Sequence, residues 1–273
     1  MYSGIRGDGN LTLSYDVFHN DNQNAEWVVL IHGFGGNRKM WNRQLDALKE
    51  RYHVLNFDLP GHGESEDMPR ERDLLAAIVD SIYQAMETQG ISAAHFMGVS
   101  LGTVLAILMA MRHQDAVIDM VLCGVIIGVN GYGTALMHAA NAVHGILPYM
   151  WLYKLMAWVL MPRKQSSFSR RLFIQSAKRL GRKHFDFWLV ALMAARKTFS
   201  ICAEHIAQKP KLCVMGEHDD VFLKMLLRAN REAYGFQIQT IANCGHLCNI
   251  EKAKEFNSIA LSFLQNEQHV IQA

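Results

Sequence analysis

Short apolar runs alternate with amphipathic segments along most of the chain. Residues 11–17 place apolar side chains at every second position, which is typical of a strand with one buried face. Continuous apolar runs predict strands covered on both faces, and these lie at Trp27–Ile31, His53–Phe57, 93–97, 119–123, Lys211–Gly216 and 236–241. Apolar residues at helical spacing predict helices near 40–48, 72–89, 103–112, 224–230 and 251–265.

This alternation favours an α/β fold with a mostly parallel central sheet flanked by helices, because each crossover helix packs on one face of the sheet. Ligands of such sheets bind at the carboxyl ends of the strands. We therefore expect the functional residues in the loops that follow the strands.

The alternation stops between residues 128 and 205, where no strand pattern occurs. Helices are predicted instead, at 149–161, 168–183 and 185–199. We therefore divide the chain into a core, residues 1–128 and 206–273, and a helical cap inserted into it, residues 129–205.

Composition narrows the class of protein. The 273 residues are half hydrophobic, which is enough for a large buried core, and a net charge of +2 does not favour a nucleic-acid partner. Five cysteines without a C-x-x-C pair suit reduced thiols, and residues 1–10 are too polar for a secretory signal, so we expect a cytoplasmic protein. Cys244, His246 and Cys248 lack a second ligand pair at zinc-site spacing, so we expect no metal.

The motif most suggestive of chemistry is Gly98-Val99-Ser100-Leu101-Gly102, between a predicted strand and a predicted helix. A serine on so sharp a turn needs small neighbours, and the glycines at 98 and 102 provide them. On the order of 0.1 chance matches is expected in a chain of this length. The motif alone is moderate evidence, because a serine hydroxyl needs a base, an orienting acid and an oxyanion hole to act as a nucleophile.

Two loops at the same predicted edge are rich in glycine and histidine. Residues 32–36, His-Gly-Phe-Gly-Gly, could bring the Phe34 N–H close to a ligand. Residues 58–65 contain Asp58, His62 and Ser65, the three residue types of a catalytic triad. Three polar residues so close together in one loop favour local bracing hydrogen bonds instead.

Together with Gly216-Glu217-His218-Asp219 and with Gly245-His246 followed by Glu251, these motifs resemble the α/β-hydrolase superfamily. The resemblance is to its small serine esterase and lipase-like members, which carry a helical cap after the sixth strand. It implies the α/β-hydrolase fold and no cofactor. The implied site has Ser100 as nucleophile, His246 as general base, Asp219 as orienting acid, with Asp220 as the alternative, and the backbone N–H groups of Phe34 and Leu101 as oxyanion hole.

The resemblance implies hydrolysis of a small-molecule carboxylic ester through an acyl-enzyme. Serine rather than aspartate at position 100 counts against the haloalkane dehalogenase and epoxide hydrolase branches. A thioesterase or acyltransferase would use the same residues. A ligand receptor built on the same fold is an alternative from another class, although a pure binder needs no aligned base and acid.

The predicted cap has an unusual charge distribution, with nine basic and no acidic residues between Met120 and Phe185. Its apolar run around 150–161 contains Met150, Trp151 and Trp158, which we predict to line an acyl pocket for medium or longer chains. The run is too short, and too interrupted by Pro148 and Lys154, for a membrane span. One interpretation is simple packing on the core; the other adds contact between the basic side and an anionic lipid surface.

Overall fold

The computed structural model describes residues 2–3, 13–65, 74–127, 138–139, 142–201, 209–229 and 235–265, with the backbone alone for 2–3 and 193–201. Within these residues an eight-stranded sheet has the order β1-β2-β4-β3-β5-β6-β7-β8. The strands are β1 Tyr2–Ser3, β2 Ser14–Phe18, β3 Trp27–Ile31, β4 His53–Phe57, β5 Ala94–Val99, β6 Val117–Cys123, β7 Lys211–Gly216 and β8 Gln237–Ile241.

The sheet is parallel from β4 to β8, and only β1 and β2 run antiparallel to their neighbours. Ile31 of β3 pairs with Gly98 of β5, and Val99 pairs with Cys123 of β6. The loops that follow these strands therefore leave the sheet at one edge. The prediction of a mostly parallel sheet is confirmed, and this edge is where the polar motifs meet.

Helices cover the sheet as the apolar spacing predicts. The core helices are α1 Asn42–Lys49, α2 Leu74–Thr88, α3 Leu101–Arg112, α7 Leu223–Ala229, α8 Cys248–Glu251 and α9 Ala253–Leu264. Helix α3 follows the Ser100 turn and is buried over its first ten residues, consistent with its almost wholly apolar sequence. The helix predicted at 251–265 is confirmed as α9, and the short helix α8 precedes it, separated by Lys252, whose backbone angles of φ −130° and ψ 51° are not helical.

Between β6 and β7 the described residues include the helices α4 Tyr149–Leu160, α5 Ser167–Ala177 and α6 Gly181–Ile201, and we call this part of the chain the cap. The predicted break between the last two, at residue 184, is wrong. The chain turns three residues earlier, and Gly181 takes a φ of +73°, a left-handed conformation that favours glycine. Both predicted boundaries of the cap lie outside the described residues. No helix in the described part of the chain has the length and apolar character needed to cross a membrane.

At the opposite, amino-terminal edge of the sheet, a buried histidine is held between two carboxylates. His95 Nδ1 lies 2.9 Å from Asp119 Oδ1, and its Nε2 lies 3.2 Å from Glu26 Oε2. Burial lowers the pKa of His95, but the hydrogen bonds and charges of Asp119 and Glu26 outweigh it, so the pKa is raised above the ordinary value of 6.5.

We expect this cluster to make stability depend on pH. A histidine whose pKa is raised on folding stabilises the protein below pH 6.5, and that contribution is lost as pH rises through the folded pKa. The difference in unfolding free energy between wild type and His95→Gln should therefore shrink between about pH 6 and pH 8. Urea denaturation at several pH values measures it, and a difference that is constant or grows with pH would contradict this assignment.

Candidate active site

Ser100 occupies a strained turn between β5 and α3. Its φ of 54° is rare for a residue with a side chain, and its ψ is −115°. The turn is held by two backbone hydrogen bonds, from the Ser100 N–H to the Cys123 carbonyl and from the Thr103 N–H to the Ser100 carbonyl, each 2.9 Å long. A Cβ at Gly98 would lie 2.5 Å from the Gly102 carbonyl oxygen, so the close approach requires glycine.

The structure brings together the three residues implied by the motifs. His246 Nε2 lies 2.9 Å from Ser100 Oγ, and His246 Nδ1 lies 2.7 Å from Asp219 Oδ2. Because a carboxylate only accepts hydrogen bonds, Nδ1 donates to Asp219 and Nε2 is left to accept from the serine hydroxyl. His246 and Asp219 are wholly buried and Ser100 is 6% exposed, so this hydrogen-bonded chain is shielded from water.

The two adjacent aspartates have different environments. Asp219 follows β7, and its second oxygen accepts from the Phe222 N–H at 3.2 Å, which fixes the carboxylate toward His246. Asp220 is exposed and paired with the cap residue Arg163 at 2.6 Å. The geometry therefore supports Asp219, and not Asp220, as the partner of His246.

The loop after β3 passes directly beside Ser100. A Cβ added at Gly33 would lie 3.3 Å from the Ser100 Cβ, so the Gly33-Phe34 segment and the nucleophile turn are in contact. Leu101 is the first residue of α3, where the N–H has no acceptor within the helix. Both segments are thus placed next to the serine, and the oxyanion role of the Phe34 and Leu101 N–H groups stays a prediction.

Two buried histidines brace this loop in neutral form. His62 Nε2 accepts from the Gly35 N–H at 2.9 Å, and His32 Nε2 accepts from the Leu59 N–H at 2.9 Å. Burial lowers the pKa of both rings, that of His62 well below 6.5, and their mutual proximity lowers the His62 pKa further. An acceptor nitrogen must be unprotonated, so the hydrogen bonds and the burial both favour the neutral imidazole ring.

Asp58 and Ser65 brace the neighbouring loop, as predicted. Asp58 accepts from the Arg38 N–H at 2.7 Å and from the Glu64 N–H at 2.9 Å. The Ser65 hydroxyl donates to the Asp58 carbonyl at 2.5 Å and accepts from the Ser14 N–H at 2.9 Å. The expectation that these residues stabilise a loop is confirmed.

Several contributors to the site were missed in the sequence. Tyr153 of α4 is buried and donates from its hydroxyl to the Phe34 carbonyl at 2.8 Å. Trp188 of α6 donates from Nε1 to the Pro60 carbonyl at 3.1 Å. Thr103 donates to the Ser100 carbonyl at 2.6 Å. The hydrogen bonds of Tyr153 and Trp188 therefore connect the cap to both loops near the serine, although these residues are far apart in the chain.

The predicted pocket residues need correction. Helix α4 buries Leu152, Tyr153, Ala157 and Leu160, and its opposite face leaves Trp151 and Trp158 mostly exposed. These two tryptophans point away from the covered face, and the structure does not support their predicted place in a pocket. Met150 is partly buried against the core, and its place in a pocket stays a prediction.

A cavity of about 370 Å³ lies between the cap and the core, beside the loop that carries His246. Its lining comes from both parts and is mixed: the apolar side chains are Met40, Leu172, Phe173, Leu247 and Ile250, and the polar or charged ones are Asn37, Lys39, Asn42, Arg43 and Ser176. Leu247 follows His246 directly in the chain. A space of this size suits a small ligand with an apolar portion.

Glu251 joins the histidine loop to the cap. Its Oε2 accepts from the Gly245 N–H at 2.9 Å and from the Ser166 hydroxyl at 3.0 Å, and its Oε1 accepts from the Ser169 hydroxyl at 2.7 Å. One carboxylate thus fixes the residue before His246 and the start of α5.

We expect Glu251→Gln to lower the free energy of unfolding by about 2 kcal/mol, because an amide nitrogen cannot accept and hydrogen bonds to a charged group are the stronger ones. Urea denaturation measures the change. The control is Glu255→Gln. The Glu255 carboxylate is exposed and lies as far as 4.0 Å from Lys252 Nζ, so this ion pair should contribute less than about 1 kcal/mol. Equal effects in the two variants would contradict this role of Glu251.

The chain matches the family model described as the alpha/beta hydrolase family over residues 28–259. Because the match covers most of the sequence, the chain belongs to the alpha/beta hydrolase family.

Three similar proteins illustrate the range of relatives. A 2-hydroxy-6-oxononadienedioate/2-hydroxy-6-oxononatrienedioate hydrolase of Burkholderia vietnamiensis is 27% identical over 270 residues, 91% of each chain. A dihydrolipoyllysine-residue acetyltransferase component of the acetoin cleaving system of Cupriavidus necator is 28% identical over 86% of this chain, which spans only 62% of that protein. The crystal structure of an enol-lactonase from Burkholderia xenovorans LB400 shares the fold, with a TM-score of 0.78 at 22% identity, covering 94% of this chain and 97% of that one.

Proposed function

We propose that this protein is a serine hydrolase that cleaves carboxylic esters through an acyl-enzyme. The observation that carries the proposal is the buried chain of contacts from Ser100 Oγ to His246 Nε2 and from His246 Nδ1 to Asp219 Oδ2. A nucleophile, a base and an orienting acid at these distances are the arrangement that activates a serine hydroxyl.

In the first step Ser100 Oγ attacks the acyl carbon while His246 Nε2 takes the hydroxyl proton. Asp219 holds the imidazole in the required tautomer and stabilises the imidazolium that forms. The tetrahedral adduct collapses, and His246 gives its proton to the departing alkoxide, which leaves as the alcohol. The acyl group stays bonded to Ser100.

In the second step water attacks the acyl carbon and gives a proton to His246 Nε2, and the acid leaves as that proton returns to Ser100 Oγ. The developing oxyanion in both steps is assigned to the N–H groups of Phe34 and Leu101. The bracing of this loop by His62 and Tyr153 supports the assignment, since preorganised donors need a rigid backbone.

The relatives differ in reaction as well as in substrate, since one is named as a hydrolase of a dioate and another as an acetyltransferase component. The cavity between cap and core has an apolar part next to the His246 loop, although Ser100 itself does not line it, and this apolar part supports an acyl group of medium length in this chain. We therefore expect p-nitrophenyl esters of medium chain length to have a higher kcat/KM than the acetyl ester.

A substrate panel tests this proposal. It contains p-nitrophenyl esters of increasing chain length, a thioester, a lactone and a 2-hydroxy-6-oxodienoate, with added alcohol or thiol as competing acyl acceptor. Best activity on the dienoate would replace the ester assignment by carbon–carbon bond hydrolysis. Transfer to the added acceptor in preference to water would indicate an acyltransferase, and binding without turnover of any member would indicate a ligand receptor.

A further inference from the structure

The outward face of α4 is apolar although it faces solvent. Trp151, Leu155 and Trp158 are 67%, 48% and 54% exposed, and Ile146, in the turn before the helix, is 83% exposed. Positions 151, 154, 155 and 158 follow helical spacing, so these side chains share one face with Lys154. We call Ile146, Trp151, Lys154, Leu155 and Trp158 the outer cap face.

Basic residues flank both ends of the outer cap face. At its start, the Tyr149 hydroxyl donates to the Lys178 carbonyl at 3.2 Å, which places the Lys178-Arg179 turn beside the beginning of α4. At its end, the Arg170 guanidinium lies 3.6 Å from the centre of the Trp158 ring, so α5 is adjacent there. The exposed cations of the described cap residues are Lys154, Lys164, Arg171, Lys178, Arg179 and Lys183.

We propose that the outer cap face binds the surface of an anionic lipid bilayer. Exposed tryptophan, leucine and isoleucine side chains gain free energy by entering the boundary between headgroups and acyl chains, and tryptophan is enriched at that depth. The exposed Lys154 within the face, and the Lys178-Arg179 turn beside its start, are attracted to acidic headgroups. The absence of acidic residues between Met120 and Phe185 leaves this attraction without opposing charge from the same segment.

Charge distinguishes a bilayer from a second copy of the chain. A two-fold dimer through this face would place the same patch against itself, bringing the flanking cations of one copy near those of the other. Such a contact is opposed by repulsion, whereas an anionic surface satisfies both the apolar side chains and the cations. The inference does not depend on the proposed function, because it concerns the helix face opposite Tyr153.

The test is sedimentation of the full chain with vesicles of phosphatidylcholine, with or without phosphatidylglycerol. We expect binding to the anionic vesicles only, with a blue shift of tryptophan emission, and loss of binding as salt rises from about 0.1 M to about 1 M. Lys154→Gln should weaken binding about fivefold. Trp151→Glu should weaken it more than about tenfold, because it removes an inserting side chain and adds a repelled charge.

The matched control is Leu227→Glu, which adds the same charge at another exposed apolar residue, on α7 of the core, and should bind like wild type. Equal binding to both vesicle types, or equal loss in Trp151→Glu and Leu227→Glu, would overturn the proposal. So would a lipid-free dimer, seen by sedimentation velocity, that Trp151→Glu abolishes, since the face would then belong to a second copy.

Discussion

Ser100→Ala is expected to reduce ester turnover by about 10⁴-fold or more, because no other group at this turn can form the acyl-enzyme. The fold should survive, since alanine keeps the Cβ and therefore experiences the same φ of 54° as the serine. Only the hydroxyl facing His246 is lost. Steady-state kinetics measures the activity, and circular dichroism with thermal melting measures the fold.

The control is Ser81→Ala. Ser81 is also buried, but its hydroxyl donates to the Ala77 carbonyl one turn earlier in α2, so turnover should be unchanged. Turnover by Ser100→Ala within tenfold of wild type, in a folded protein, would remove the basis of the proposed mechanism.

Asp219→Asn has the second largest expected effect, a loss in kcat of about 10⁴-fold. An amide can present an N–H to His246 Nδ1 and stabilise the tautomer in which Nε2 carries the proton. That nitrogen could no longer accept from Ser100. The neutral amide would also not stabilise the imidazolium formed during attack.

Asp220→Asn is the matched control, since it makes the same change one residue later. The Asp220 carboxylate faces Arg163 at the surface, so kcat should stay within about threefold of wild type. A large loss in Asp220→Asn with little loss in Asp219→Asn would reverse the assignment of the acid. The two variants thus distinguish a general effect of charge removal from the specific contact with His246.

The sheet and the positions of the polar motifs could be predicted because both depend on local patterns. The continuous apolar runs identified Trp27–Ile31, His53–Phe57 and Lys211–Gly216 with the bounds that the structure has. The glycine at 98 was predicted from the steric need of a sharp turn, and a Cβ there would indeed clash. Because parallel strands end at one edge of the sheet, the loops that follow them were expected to bring Ser100 and His246 together at that edge.

Which face of α4 is buried could not be predicted from its apolar pattern alone. Between 149 and 161 almost every position is apolar, so periodicity does not distinguish the covered face from the exposed one. Lys154 was the available signal, because residues three or four positions away share its side, and those are Trp151 and Trp158. Leu155 shares that side through its own spacing, four positions after Trp151 and three before Trp158. Assigning the tryptophans to the pocket overlooked this spacing.

The bracing contacts of the site depend on tertiary structure. Tyr153 and Phe34 are 119 residues apart, and Glu251 and Ser166 are 85 apart. Nothing in the local sequence pairs a tyrosine of one helix with a carbonyl of a distant loop. The break before Gly181 was also missed, because the basic and polar residues around it fit a helix as well as a turn.

The most direct test of the central claim is the site of covalent modification by a fluorophosphonate. The wild-type chain should gain the mass of one phosphonyl group, and peptide mapping by mass spectrometry should place it on Ser100. His246→Gln should react far more slowly, because the serine then lacks its base, whereas His218→Gln should react like wild type. Modification of another residue, or no modification of the folded wild-type protein, would contradict the account.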